Sequence, residues 1–174
     1  MAGGVAFRPA TDADRAALTH LLAEANRHYW GAATDARDAQ AMADAQAMAD
    51  ALLGGASGCR ALLAWQGDWA CGLATYTLLH MAPSPAGTLF LKDLYIAATA
   101  RRSGLGQAFM QHLAGMAADL GCVRFDWTAE RDNPQALAFY QRLGAEIVEE
   151  KVYFRLHGPA LAQGARGFDD AAPT

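Results

Sequence analysis

The residues best suited to chemistry form a short turn from Arg101 to Gly106, with the sequence R-R-S-G-L-G. Apolar residues recur behind this turn at helical spacing, which predicts that it opens a helix. The first amides of a helix converge on one spot and carry the positive end of the helix dipole, so an anion binds well there. The two glycines let the backbone approach an anion closely, and the two arginines can pair with phosphate oxygens. The pattern alone leaves both a phosphate site and a purely structural turn open.

Other chemistries are excluded by patterns that the chain lacks. The turn has no G-K-[ST] ending, and no G-x-G-x-x-G follows an early strand, which excludes a nucleoside triphosphate loop and a dinucleotide fingerprint. No Ser/His/Asp or Cys/His pattern indicates a nucleophile on the protein. The three cysteines and five histidines show no ligand spacing, so we predict free, buried thiols and no metal site.

Length and charge restrict the class of protein. The chain has 174 residues and a formal net charge of −4, which suits one soluble domain and argues against nucleic acid as a partner. No apolar run is long enough to span a membrane, and the first residues show no basic-then-apolar signal pattern. We therefore expect a cytoplasmic protein with no membrane partner.

The elements that position the turn follow from the spacing of apolar residues. The predicted strands cover residues 5–7, 59–65, 69–79, 88–96, 123–128, 147–148 and 152–156, and the predicted helices begin at Thr11, Asp35, Leu105 and Asn133. Residues 81–87 are predicted to form a loop. The order β-α-α-β-β-β-α-β-α-β-β indicates an α+β fold with a mixed, mostly antiparallel central sheet flanked by helices. We expect one domain over residues 1–158 and a loosely ordered tail over 159–174.

A second motif lies about thirty residues after the turn. Residues 133–145 read N-x-x-A-x-x-F-Y-x-x-L-G-A. Together with R-x-x-G-x-G, this pattern resembles the GNAT superfamily of N-acetyltransferases, and F-R-P-A-T at residues 7–11 is similar to the first strand and turn of that family. The resemblance covers residues 5–156. Within the superfamily the chain is most similar to the diamine (polyamine and thialysine) acetyltransferase branch.

The resemblance implies that acetyl-coenzyme A lies in a V-shaped opening between the strands at 91–96 and 123–128. Its pyrophosphate would bind the amides of Arg102 to Gly106, and backbone groups of Leu94 and Ile96 would pair with its pantetheine arm. An amide near Leu94 would face the thioester oxygen. The implied cofactor-binding residues are Leu94, Tyr95, Ile96, Arg101, Arg102, Ser103, Gly104, Leu105, Gly106, Asn133 and Tyr140.

The resemblance also implies roles in catalysis. Tyr140 matches the family's tyrosine that donates a proton to the leaving thiolate, although by itself it could equally be a core aromatic beside Phe139. Asp93 and Glu130 are the candidates that accept the proton of the amine. The resemblance further implies that the acetyl group passes directly between the two bound substrates, which fits the absence of a nucleophile pattern in the sequence.

Three positions depart from the pattern of the diamine branch. Lys92 stands where an acidic residue is usual, Arg102 where glycine is usual, and Asp132 where tryptophan is usual. A lysine beside the site repels a polycation, so the resemblance does not extend to polyamine specificity. The sequence predicts an acetyl-CoA-dependent N-acetyltransferase, a homodimer by resemblance, that acts on a primary amine of a small molecule. The alternatives are a non-catalytic acyl-CoA-binding module and a protein lysine or N-terminal acetyltransferase.

Overall fold

The computed structural model describes residues 4–30, 35–55, 57–81, 84–165 and 167. Its elements are β1 (Ala6–Pro9), α1 (Arg15–Trp30), α2 (Asp35–Leu53), β2 (Arg60–Gln66), β3 (Trp69–Met81), β4 (Ser84–Ile96), α3 (Leu105–Asp119), β5 (Arg124–Trp127), α4 (Pro134–Arg142) and α5 (Gly158–Gly164). Short 3-10 turns precede α1 (Asp12–Asp14) and α3 (Ala98–Ala100). The chain divides into a first unit, residues 1–133, and a second unit, residues 134–174, and each is described by itself.

The first unit contains a five-stranded sheet in the order β1-β2-β3-β4-β5. The pairs from β1 to β4 are antiparallel and β5 lies parallel to β4. A parallel neighbour needs a crossover connection, and α3 supplies it between β4 and β5. The predicted α+β fold with a mixed, mostly antiparallel sheet is therefore confirmed.

Helices cover both faces of this sheet. Leu18, Leu21 and Leu22 of α1 belong to one buried cluster with residues of α2 and with Leu63 and Leu73 of the sheet. On the other face lies Phe109 of α3, which is fully buried and lies so close to Gly72 of β3 that a Cβ there would be only 2.7 Å from its ring. The sequence explains this arrangement, because the central strands are apolar on both faces and alternating residues must be covered on each side.

The start of α1 is held by a buried carboxylate. Asp14 accepts a bidentate pair of hydrogen bonds from Arg8, both at 2.7 Å, and further bonds from the Thr11 amide and hydroxyl. The hydrogen bonds from Arg8 lower the pKa of Asp14 to about 2, against the opposing effect of burial. Thr11 and Asp14 form a capping box at the predicted start of the first helix, between β1 and α1.

The second unit corrects part of the sequence prediction. No strand is formed at 147–148 or 152–156 in the described part of the chain, and every residue from Glu146 to Ala160 is exposed. Alternating apolar residues form a strand only where another strand pairs with them and a face is covered, and neither condition is met in this segment. The seven-residue helix α5 lies in the region predicted as a tail, whose last residues, 168–174, lie outside the described residues.

A smaller difference concerns the hairpin before the turn. β4 begins at Ser84, so most of the predicted 81–87 loop is strand, while Ala82 and Pro83 lie outside the described residues.

Cys59, Cys71 and Cys122 are free, as predicted, but only Cys71 is fully buried. Among the described residues, no helix is long and apolar enough to cross a membrane, and no group of three or more His, Cys, Asp or Glu residues could hold a metal ion.

Candidate active site

The centre of the candidate site is the point where β4 and β5 separate. β5 pairs with β4 only from Thr88 to Leu91, and the pairing ends at Leu91 and Trp127. The rest of β4, residues 92–96, continues along β3 as far as Ile96 opposite Gly72. On its other edge no described strand pairs with residues 92–96, so backbone donors and acceptors of this half of β4 are available to an extended ligand.

A β-bulge marks the same point. Asp93 lies opposite Thr75, and Leu91 lies opposite Tyr76, so Lys92 has no residue opposite it on β3. An extra residue of this kind bends its strand and re-aims the neighbouring side chains. The bulge thus lies at the end of the β4–β5 pairing. Residues 88–91 before it pair on both edges, whereas the half-paired segment after it, up to Ile96, pairs only with β3.

The predicted turn follows the half-paired segment directly. Gly104 adopts a left-handed conformation, with φ of 83°, and α3 begins at the next residue. The first amides of α3 have no partner within the helix and point out of its start. Arg102 is also left-handed, with φ of 64°, where the similar branch usually has glycine. A non-glycine residue in this region is strained by about 1–2 kcal/mol.

The polar side chains of the turn make local contacts. Arg101 Nε donates to the Ile96 carbonyl at 3.1 Å, and its guanidinium lies 5.6 Å from the centre of the Tyr95 ring. The Ser103 hydroxyl donates to the Ala100 carbonyl at 2.7 Å. These contacts connect the turn to the end of β4. The exposed Arg102 side chain completes the basic character of the turn.

A cluster of polar side chains lies between the end of α1 and the half-paired part of β4. Partial desolvation raises the pKa of Tyr29, a residue that is still 62% exposed, the negative charge of Asp93 raises it further, and Arg101 opposes both effects. Burial also raises the pKa of Tyr95, together with the charge of Glu24, again against Arg101. Glu24 Oε2 is buried without a hydrogen-bond partner among the described residues. Such an atom is rare in folded proteins, and a donor from water or a ligand would satisfy it.

The two predicted proton acceptors have different surroundings. Asp93 accepts a 2.7 Å hydrogen bond from the buried Thr75 hydroxyl, and its other oxygen lies 3.4 Å from Lys92 Nζ. Glu130 is exposed in the turn that leads to Asn133, whose amide donates to the Glu130 carbonyl at 3.1 Å. Only Asp93 is fixed by buried neighbours and belongs to the cluster with Tyr29.

Tyr140 belongs to the second unit. It lies on α4, is half-buried, and has its ring 5.1 Å from that of Phe139. Its carbonyl accepts hydrogen bonds from the amides of Leu143 and Ala145, which close the helix before the left-handed Gly144. The N-x-x-A-x-x-F-Y motif therefore forms a helix, as predicted, and α4 begins immediately after Asn133.

Sequence reasoning missed Thr75, Glu24 and the bulge at Lys92. Thr75 is eighteen residues from its partner Asp93, and the bulge is visible only in the register of two strands. Glu24 has the spacing of an ordinary surface residue of α1. His28 and Tyr29 lie in the last turn of α1, and the His28 ring is centred 6.1 Å from the Tyr95 ring.

Comparison with known proteins gives consistent relatives. The profile of the acetyltransferase (GNAT) family matches residues 15–145. The L-ornithine N5-acetyltransferase NATA1 of Arabidopsis thaliana is 32% identical over 72 residues, which cover 41% of this chain and 32% of that protein. The thialysine N-epsilon-acetyltransferase of Caenorhabditis elegans is 40% identical over 76 residues, or 42% of this chain and 48% of that protein. The matches thus span less than half of the length of these curated relatives.

A solved structure extends the similarity to nearly the whole chain. The integron cassette protein VCH_CASS6 from the mobile metagenome of V. cholerae is 32% identical, with a TM-score of 0.80 over 95% of this chain and 99% of that one. The family match includes the half-paired β4, the turn and the start of α4. The chain belongs to the acetyltransferase (GNAT) family.

Proposed function

We propose that this chain transfers the acetyl group of acetyl-CoA to a primary amine of a small molecule, with both substrates bound at once. The observation that carries the proposal is the unpaired edge of β4 at residues 92–96, followed directly by the turn that opens α3. An extended arm with amides and a pyrophosphate fits those two features in that order. The names of the ornithine and thialysine relatives support a small amine as acceptor.

The donor is held by backbone groups in this proposal. Leu94 and Ile96 pair with the pantetheine amides as a strand would, and Tyr95 lies between them. The pyrophosphate binds the amides of the turn and the start of α3, with Arg101 and Arg102 adding charge. Ser103, Gly104, Leu105 and Gly106 complete this cradle, and Asn133 contributes from the start of α4. The thioester carbonyl then accepts a hydrogen bond from an amide near Leu94, which stabilises the developing oxyanion.

The reaction requires three proton transfers. A primary amine has a pKa near 10 and must lose a proton before its nitrogen attacks the thioester carbon, and Asp93 or Glu130 accepts this proton, directly or through water. The new C–N bond forms, the tetrahedral intermediate collapses, and the C–S bond breaks, so that the thiolate takes a proton from Tyr140. The nitrogen loses its second proton as the amide forms, and this proton returns to the Tyr140 oxygen, so that one proton is released overall.

The buried Thr75 hydroxyl fixes the carboxylate of Asp93, which favours Asp93 over the exposed Glu130 as the group that accepts the proton. Asp93→Asn and Glu130→Gln separate the two candidates. Turnover by the variant that lacks the true base is expected to fall about 10²–10⁴-fold. Turnover by the other variant should change little.

The main experiment measures CoA binding by calorimetry and thiol release with a panel of diamines, diamino acids and an aminoglycoside. We expect binding and release with at least one amine. Tyr140→Phe should bind CoA normally and lose about 10²–10⁴-fold in turnover, and wild-type turnover in that variant would contradict its role as the acid. CoA binding without turnover of any amine would favour the acyl-CoA-binding module, and turnover of peptides alone would favour a protein acetyltransferase.

We further propose a cytoplasmic homodimer. Three free cysteines suit a reducing compartment. Six large apolar side chains lie exposed within ten residues of the second unit: Ile147, Val148, Val152, Tyr153, Phe154 and Leu156. A second copy of the chain that covers them would remove this apolar area from water. Light scattering at micromolar concentration tests the proposal, and a monomer mass would overturn it.

A further inference from the structure

Lys92 and Asp93 meet where β4 leaves β5. On a regular strand, neighbouring side chains point to opposite faces, yet Lys92 Nζ lies 3.4 Å from Asp93 Oδ1. The bulge accounts for the contact, because Lys92 has no residue opposite it on β3 and the side chains beside it are re-aimed. The fold therefore holds a cation and an anion together beside the unpaired edge of β4.

The side chains of this pair differ in how firmly their neighbours hold them. Asp93 is fixed through Oδ2, which accepts from the hydroxyl of the fully buried Thr75. Lys92 has a side chain that is 62% exposed. An ammonium group has three N–H donors, and only one of them is needed for the contact with Asp93. The ammonium is thus oriented by Asp93 while its other donors face outwards, where an approaching molecule can reach them.

The surroundings of the pair are balanced in charge rather than acidic. Arg101 acts on both Tyr29 and Tyr95, in the direction opposite to the nearby carboxylates. Arg101, Asp93 and Glu24 act on the two tyrosines, and Lys92 contacts Asp93, so two cations and two anions lie in this region. A polyamine presents only positive charge and gains little from such a site, because each attraction is offset by a repulsion. A molecule that carries both signs matches it.

We propose that Lys92 selects acceptor amines that also carry a carboxylate, so that the substrates are diamino acids rather than diamines. This inference rests on the proposed function. The carboxylate of the acceptor accepts hydrogen bonds from the free donors of Lys92, and Asp93 acts as a positioning residue that holds the ammonium in place. Lys92 is thus a specificity-determining residue at the position where the similar branch usually has an acidic one.

Two substrate pairs that differ only in the carboxylate test the proposal. Ornithine is compared with putrescine, and lysine with cadaverine, by kcat/KM for thiol release. A hydrogen bond to a charged group corresponds to about 10–100-fold, and we expect the wild-type chain to prefer each amino acid by that factor. Lys92→Met should remove most of the preference by raising KM for the amino acids, with unchanged or improved kcat/KM for the diamines. Lys92→Glu should lower the preference further than Lys92→Met, because it places a negative charge where the substrate carboxylate would bind.

Lys151→Met is the matched control, because it removes the only other lysine of the chain, at an exposed position of the second unit. It should leave the ratio between the paired substrates unchanged. Equal kcat/KM for ornithine and putrescine in the wild-type chain would overturn the inference, as would an equal loss for both in Lys92→Met, which would mark the ion pair as merely structural. In either case amine acetylation itself would stand. Failure of every amine in the panel would instead overturn the proposed function and the inference together.

Discussion

The two units of the chain use the same kinds of residue in different ways. In the first unit, alternating apolar residues of β2 and β3 are buried between α1, α2 and α3, and the core contains fully buried side chains such as Phe109 and Leu63. In the second unit, none of the described residues is buried, and the alternating segment at 152–156 is exposed throughout. Apolar alternation is thus necessary for a strand but not sufficient, because pairing and cover come from elsewhere in the fold or from another molecule.

The largest effect is expected from a core aromatic of the first unit. Phe109→Ala should destabilise the chain by about 3–5 kcal/mol, because Phe109 is fully buried between Phe7 and the backbone of Gly72. Denaturant unfolding followed by circular dichroism measures the loss. A change below 1 kcal/mol would show that α3 does not pack on this face of the sheet in solution.

The second prediction concerns the carboxylate that holds the start of α1. Asp14 has its pKa lowered to about 2, below the ordinary value of about 3.9. Its contribution is therefore complete above pH 4 and is lost as the pH falls towards 2. Asp14→Asn should cost about 2 kcal/mol at pH 7, and its stability should change less than that of the wild-type chain between pH 4 and pH 2.

Unfolding by urea at pH 7, 4 and 2.5 measures this dependence. Glu149→Gln, at an exposed position of the second unit, is the control and should change stability by less than about 0.5 kcal/mol. Equal acid sensitivity of Asp14→Asn and the wild-type chain would contradict the assignment of the low pKa to Asp14.

The smallest effect is expected from the matched aromatic of the second unit. Phe154 is 87% exposed, so Phe154→Ala should change the stability of a monomer by less than about 0.5 kcal/mol. The same unfolding measurement, repeated over a hundredfold range of protein concentration, gives the sharpest contrast with Phe109→Ala. A larger loss that grows with concentration would show that a second copy covers the segment, whereas a larger loss independent of concentration would show that the chain covers it by itself.

Much of the fold could be predicted because its signals are local. Helix periodicity, the capping box at Thr11 and the glycines that close α3 and α4 depend on neighbours within a few residues, and the structure has them in place. The strands at 147–156 could not be predicted correctly, since a strand needs a partner that its own sequence does not specify. The turn at Arg101 to Gly106 could be proposed as a binding site because its glycines and arginines are close together in the sequence. Thr75 and Glu24 come near Asp93 and Tyr95 only through the packing of α1 and β3 against β4.

The sequence by itself determined the family, the mixed α+β fold and the position of the turn from Arg101 to Gly106 that we propose binds pyrophosphate, because these depend on consecutive residues and on their spacing. Only the tertiary structure decided which group the Lys92 side chain contacts. Its departure from the usual acidic residue was visible in the sequence, but its contact with Asp93 depends on a bulge in the register of β3 and β4. That register results from the burial of both strands between helices, since a shift by one residue would expose the core face to water.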